Sequence, residues 1–287
     1  MNYYDKFRVA PGSKVNLDNV DASFKDKHES HEHALPEIEA NREKLHDLQY
    51  LMYAEGERSL LICLQGRDAA GKDGTINHVL GAMNPQGCTV TGFKVPTKEE
   101  AAHDFLWRCH KHTPGKGDVA IFNRSHYEDV LVQRVHNMVP KEVWSARYEH
   151  INNFEKLLYD SGTHVLKFYL HIDAKEELER FKMRIEDPKW NWKISDGDYA
   201  ERPFWDAYTK AFEDALSKCS TEHAPWFIIP SNHKWFRNLA VSRIVVECLE
   251  SLNMKFPKPS VDLEEIKKKY HAIVVKEGDG PKAELDN

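Results

Sequence analysis

Leu61–Thr75 reads LICLQGRDAAGKDGT, and it decides the fold. Ser59 to Gln65 is short and apolar, with charge before it and glycine after it. That pattern predicts a buried parallel strand. Gly66 to Lys72 then fits G-x-x-x-x-G-K, and Thr75 to Met83 is expected to continue as a helix. Strand, glycine-rich loop and helix are the context a phosphate-binding loop requires. The glycines let successive N–H groups turn toward an anion, and the helix N-terminus adds its partial positive charge. Lys72 supplies a mobile cation for phosphate oxygens.

One position departs from the pattern. The Ser or Thr that normally follows the lysine and ligates Mg²⁺ is Asp73. A carboxylate there repels phosphate, so Asp73 is expected either to face away or to act through a metal. A second carboxylate, Asp68, sits inside the loop. Its natural role is to hold Mg²⁺ against phosphate.

With 287 residues, 41% of them hydrophobic, the chain can form one large α/β domain. No run approaches the roughly 18–20 apolar residues of a membrane helix, and the N-terminus shows no signal-peptide pattern. Five cysteines without a C-x-x-C read as reduced thiols of a cytoplasmic protein. A net charge of -6 argues against general nucleic-acid binding, although local fields decide whether a polyanion binds.

Outward from the loop, residues 1–33 read as an N-terminal arm on the domain surface. Its His28, His31 and His33 are read as a turn rather than a metal site. Ala34 to Tyr53 has helical spacing. Gly87–Val95, Asp118–Phe122, Thr163–Ile172 and Pro225–Pro230 read as further strands. Thr97 and Glu100 form a capping box for a helix carrying His103 to Trp107. Helices are expected over 140–160, 175–186, 203–217 and 235–252. Residues 34–255 thus form one domain, a five-stranded parallel sheet flanked by helices, and 256–287 a charged helix and a frayed tail.

Ligands of such sheets gather at the carboxyl ends of the strands. The loop, Lys94 and Asn123-Arg124 are therefore expected to meet. Asn123 stands where an aspartate usually holds Mg²⁺, and Arg124 is a bidentate phosphate donor. Arg180 and Arg184 share a helical face, followed by Lys189, Lys193 and Arg202 in a polar, aromatic segment at about 185–202. That is the composition of a phosphotransfer lid, and equally of a solvated charged helix. If a nucleotide phosphate is the acceptor, no strong general base is needed, because the attacking oxygen is already ionised.

These residues resemble the polyphosphate kinase 2 family. The likeness rests on Gly66–Gly74 (GRDAAGKDG), Gly92–Arg108 (GFKVPTKEEAAHDFLWR), Phe122–Leu131 (FNRSHYEDVL), Arg180–Arg184 with Asp187-Pro188, and Trp192–Ser195 with Asp198, Arg202 and Trp205. Ala224–Trp226, Ile229-Pro230 and Lys234-Trp235 complete it, over roughly residues 35–255. FNRSHYE is similar to the class III pattern. The resemblance implies a thymidylate-kinase-like P-loop fold with a helical lid, Mg²⁺ dependence, and a homo-oligomer, tetramer or dimer. It implies an enzyme that uses inorganic polyphosphate to convert AMP to ADP and ADP to ATP.

Carried onto this chain, the resemblance makes Asp68, Lys72, Arg124 and Arg184 catalytic, with Asp68 the metal ligand. Arg67, Ala69, Ala70, Gly71, Lys72, Asp73, Gly74, Lys94, Arg180 and Lys193 fall to phosphate and polyphosphate. Asn123, Arg124, Tyr127, Glu128 and Arg184 fall to the nucleotide, with Glu128 selecting AMP. An ATP-dependent nucleotide or nucleoside kinase on the same fold is the alternative, and a non-catalytic nucleotide sensor is a third reading.

Overall fold

Eight consecutive residues, Ser59–Gly66, form the central strand β1, and all but the last are buried. Burial on both faces is what an uninterrupted apolar run demands. Around it stand β2 (Cys88–Gly92), β3 (Val119–Asn123), β4 (Thr163–His171) and β5 (Trp226–Pro230). The order is β2-β3-β1-β4-β5, and every pair is parallel. The computed structural model describes residues 2–278. From Asp279 onward, the tail expected to fray lies outside the described residues.

The helices are α1 (Tyr3–Phe7), α2 (His31–Glu55), α3 (Lys72–His78), α4 (Lys98–Ala101), α5 (Trp107–His110) and α6 (Glu128–Val135). They continue with α7 (Lys141–Asp160), α8 (Ala174–Glu186), α9 (Asp196–Glu201), α10 (Trp205–Cys219), α11 (Lys234–Ser251) and α12 (Leu263–Gly278). The period of two along β1 sorts the layers. Leu60, Ile62 and Leu64 face a core shared with α1, α2 and α11. Leu61 and Cys63 face the opposite side, with Phe154 and Leu158 of α7. The described residues up to Met254 form one compact unit, and those from Lys255 to Gly278 belong to another. Within the second, α12 exposes Leu263, Ile266, Tyr270 and Ile273. No described helix is long and apolar enough to cross a membrane. All five cysteines are free thiols.

Three expectations need correction. The helix after the loop starts at Lys72 rather than Thr75, and ends at His78 before a 3-10 turn, Leu80–Ala82. Gly71 adopts a left-handed conformation and starts the helix at once, while Gly81 weakens its continuation. The Thr97–Glu100 capping box is present, but α4 stops after four residues. Asp104 accepts from the N–H groups of Leu106 (3.0 Å) and Trp107 (3.1 Å) and starts a new turn, so His103 to Trp107 do not continue α4. The arm, finally, is not a surface strap.

Tyr3 is wholly buried and Phe7 nearly so; the two rings pack edge-to-face, and Phe7 packs edge-to-face with Phe236 and Phe24 as well. The Val9 N–H donates to the Trp226 carbonyl (2.8 Å), and Arg8 bridges antiparallel to Phe227, so the arm borders β5. His28 Nε2 lies 3.2 Å from Glu37. Phe7→Ala removes an aromatic ring from this core and is expected to cost about 3 kcal/mol. Thermal unfolding followed by circular dichroism should show a melting temperature lowered by several degrees, and an unchanged one would contradict the arm's place in the core.

Candidate active site

The loop leaves the centre of the sheet and turns through two left-handed residues, Ala69 (φ +58°) and Gly71 (φ +108°). Only glycine takes such a conformation at no steric cost, and a left-handed alanine is maintained only if its surroundings enforce it. Two buried arginines supply that enforcement. Arg180 of α8 donates to the carbonyls of Ala69 (2.7 Å) and Ala70 (3.0 Å), to those of Ser231 and Asn232, and through Nε to Glu176 (2.7 Å). Arg237 of α11 lies against the loop so closely that a Cβ on Gly71 would sit 1.8 Å from its Nη1.

The neighbour order of β1 and β3 sets the loop beside Asn123-Arg124. The Arg124 N–H donates to the Leu64 carbonyl (3.0 Å) while Arg124 itself is left-handed (φ +63°). Its guanidinium spans Asp68 (3.0 Å) and Glu128 (3.1 Å). Burial pulls its pKa down, but Glu128 and Asp68 more than offset this, so it stays a cation. These pairs are partly exposed and worth about 1 kcal/mol or less each. A phosphate offering a bidentate, charge-assisted contact can displace them. Lys72 Nζ donates to the carbonyls of Gly66 (2.7 Å) and Arg67 (3.1 Å). Burial first, and Arg124 second, push its pKa down to about 8.

Asp73 turns to the cleft, which settles one of its two expected dispositions. It accepts from Asn123 Nδ2 (2.9 Å) and from Lys193 Nζ (2.9 Å) of the segment after α8. Burial works to raise its pKa, but these two donors hold it below the usual carboxylate range. The Lys193–Asp73 pair latches that segment over the loop. Arg184 stays within the segment, donating to the Lys193 carbonyl (3.1 Å), with Asp198 at 3.5 Å. Lys94, Gly74, Asp68, Lys72, Asp73, Asn123, Arg124, Arg184 and Lys193 line one cleft, so the structure brings these expected residues together.

Two further cavities flank the loop. One, of about 440 Å³, is bounded by Asp68, Arg124 and Glu128 and by the apolar or aromatic Leu131, Val132, Trp205, Tyr208 and Phe212. The other, of about 740 Å³, is lined by Arg180, Arg184, Lys193, Lys234 and Arg237 and by Asp73, Glu186 and Asp187, with Trp190 and Trp235. Arg237 has no carboxylate partner among the described residues. It bonds to Asn238 Oδ1 (2.9 and 3.2 Å) and, at 3.4 Å, to the Ala70 carbonyl. Burial, then the neighbouring Arg180, push its pKa down to about 9. An uncompensated buried cation of this kind attracts an anion.

Three assigned residues have their polar groups engaged by the protein itself. Tyr127 is fully buried, its hydroxyl donating to Glu155 (3.0 Å), so it cannot touch a nucleotide. Arg180 spends all five donors on protein acceptors and acts as a strut under the loop. Arg67 lies on the Trp205 ring (3.6 Å) and donates to the Trp205 carbonyl (2.8 Å) and Thr209 Oγ1, tying the loop to α10. Arg237 and the aromatic wall of α10 are the additions. No acidic residue stands three or four positions from Arg237 on its helix, and that is the signal by which sequence could have found it.

Gly71→Ala meets both the left-handed backbone and Arg237, so it should lower the melting temperature markedly and displace the loop. Gly92→Ala, with nothing within 4 Å of the added Cβ, should leave the melting temperature unchanged. Equal effects of the two substitutions in thermal unfolding would contradict the contact between Arg237 and the loop.

Comparison with known proteins agrees with this geometry. The family model Polyphosphate kinase 2 (PPK2) matches residues 27–257. An AMP/ADP-polyphosphate phosphotransferase of Meiothermus ruber is 48% identical over 263 residues, 91% of this chain and 98% of that protein. An ADP-polyphosphate phosphotransferase of Rhodopseudomonas palustris is 42% identical, over 88% of this chain and 92% of that protein. The crystal structure of a Polyphosphate Kinase 2 from Arthrobacter aurescens TC1 superposes with a TM-score of 0.90 at 39% identity, covering 96% of this chain and 97% of the other. A parallel sheet ordered 2-3-1-4-5, a phosphate loop at its centre and a match over most of the length lead to one conclusion: this chain belongs to the polyphosphate kinase 2 family.

Proposed function

We propose that this protein transfers the terminal phosphoryl group of inorganic polyphosphate to AMP and to ADP, giving ADP and ATP. The observation that carries the proposal is the cleft lined by Asp68, Lys72, Arg124 and Lys193, flanked by one cavity walled by Trp205, Tyr208 and Phe212 and by another that holds Arg237 and Lys234. The cavity with an aromatic wall and carboxylates suits a nucleotide, whose base needs an apolar surface. The basic cavity beside Arg237 suits a polyanionic donor. The names of the Meiothermus ruber and Rhodopseudomonas palustris relatives support the same donor and acceptors.

In this reaction a terminal phosphate oxygen of the nucleotide attacks the terminal phosphorus of polyphosphate. The new P–O bond forms as the bond to the shortened chain breaks, and the chain keeps the electron pair. The protein's task is alignment and charge neutralisation. Arg124 leaves its carboxylate partners for the moving group. Lys72 leaves the Gly66 and Arg67 carbonyls for phosphate oxygens. The segment carrying Arg184 and Lys193 acts as a lid, held by the weak Lys193–Asp73 latch, and its closure excludes water.

The donor set fits Mg²⁺. Only Oδ1 of Asp68 bonds to Arg124, leaving Oδ2 without a protein partner among the described residues. A single carboxylate together with substrate phosphates is how this ion is commonly bound. Asp68 would hold it, and it would neutralise phosphate charge.

The proposal extends to a homo-oligomer, for which the exposed apolar stripe on α12 offers a surface, and to a cytoplasmic setting, which five free thiols support. With polyphosphate as sole donor, Asp68→Ala and Lys72→Ala should retain the wild-type circular-dichroism spectrum and lose the initial rate of ADP formation by about 100- to 1000-fold. Near wild-type turnover in either folded variant would contradict the assignment.

A further inference from the structure

We propose that the buried pair Glu155–Lys167 is a positioning device for phosphoryl transfer, aiming Arg124 and Glu128 into the cleft by gripping His126 and Tyr127 between them. This rests on the functional reading above.

Glu155 of α7, Lys167 of β4, His126 and Tyr127 are all inaccessible to solvent. Glu155 Oε1 accepts from His126 Nε2 (3.0 Å) and from the Tyr127 hydroxyl (3.0 Å). Lys167 Nζ contacts Glu155 Oε2 (2.5 Å), the Tyr127 hydroxyl (3.0 Å) and the Cys219 carbonyl (2.6 Å). Burial favours neutral imidazole and phenol, so His126 sits below its ordinary pKa and Tyr127 well above its own. Burial works to raise the Glu155 pKa, but Lys167 and His126 hold it down. The group is therefore one ion pair closed by two neutral donors.

A buried ion pair is poor evidence of a stabilising role, since an apolar pair of similar volume often serves as well. What distinguishes this one is where its bonds go. Three of them end on two adjacent residues, and those residues separate Arg124 from Glu128. Arg124 is left-handed, a strained conformation that persists only where the surroundings over-determine it. Ser125 adds a second tether, accepting from Gln65 Nε2 (3.1 Å) at the end of β1. Through Cys219, Lys167 also holds the C-terminal end of α10, whose other end carries the aromatic wall of the nucleotide-sized cavity.

The test compares Tyr127→Phe, which removes one hydroxyl, with the double variant Glu155→Gln/Lys167→Met, which removes both charges. Each is measured alone and combined with Arg124→Ala, for kcat at saturating substrates and for melting temperature. Thr163→Val is the control. It deletes the buried Ser59–Thr163 hydrogen bond (2.9 Å) at the opposite end of β1, and should lower the melting temperature while leaving kcat unchanged.

Tyr127→Phe and the double variant should each lower kcat about tenfold, within the hundredfold that a displacement of about 1 Å costs. Their losses should be smaller in the Arg124→Ala background than in the wild type, because the part that runs through Arg124 is already gone. Wild-type kcat in a folded variant, or losses that multiply, would overturn the proposal. An unchanged kcat in Arg124→Ala alone would instead overturn the functional reading, and this proposal with it. Tyr127→Phe leaves every charge in place, so it carries the test alone if the double variant fails to fold.

Discussion

The catalytic apparatus depends on how the carbonyls of Ala69 and Ala70 are held. In a trans peptide the N–H points opposite to the C=O. Drawing these two carbonyls toward Arg180 therefore fixes the planes of the peptides that turn the loop. The strut is anchored in turn by Ser231 and Asn232, which follow β5, so the far side of the sheet braces the loop at its centre. Arg237 packs on two glycines, Gly71 and Gly74, whose missing Cβ atoms give it room. Remove the left-handed turn at Gly71, and both the strut and the start of α3 lose their geometry.

Charge is distributed unequally around this loop. On the nucleotide-sized side, Arg124 is paired with Asp68 and Glu128, and Arg202 with Glu177. On the opposite side Arg237 is buried without a carboxylate partner among the described residues, and the nearby Lys234 is held below its ordinary pKa by burial, then by Arg180 and Arg237. An excess of cations on that side, five against the carboxylates of Asp73, Glu186 and Asp187, suits a polyanion there. Two of the left-handed non-glycine residues, Ala69 in the loop and Arg124 after β3, line the same cleft. The interior must hold them there, and the Glu155–Lys167 group is the strongest polar anchor behind Arg124.

The fold was legible because its signals are local and repeated. Apolar runs marked β1, β3, β4 and β5, and alternation of small and β-branched residues marked β2, while the order of the strands came only from the structure. Lys72, Asp73, Lys94, Asn123 and Arg124 were legible as a site because strand ends converge on one edge of the sheet. Side-chain direction was not legible. Arg180 and Arg184 share a helical face, yet one binds loop carbonyls while the other caps the segment that follows. Tyr127 lies in a motif with Arg124 and Glu128, but its ring turns into the core toward Trp226. Arg67 sits in the loop, and only the fold shows that Trp205, far along the chain, receives it. In each case the deciding partner is distant in sequence, which neither periodicity nor motif spacing encodes.

The most direct measurement is the course of products when AMP, Mg²⁺ and long-chain polyphosphate are mixed with the purified protein, without ATP, and resolved by chromatography. The account predicts that ADP accumulates first and ATP follows, both phosphoryl groups coming from the polyphosphate. An absence of product from AMP or ADP, with transfer appearing only when ATP is supplied as donor, would contradict it.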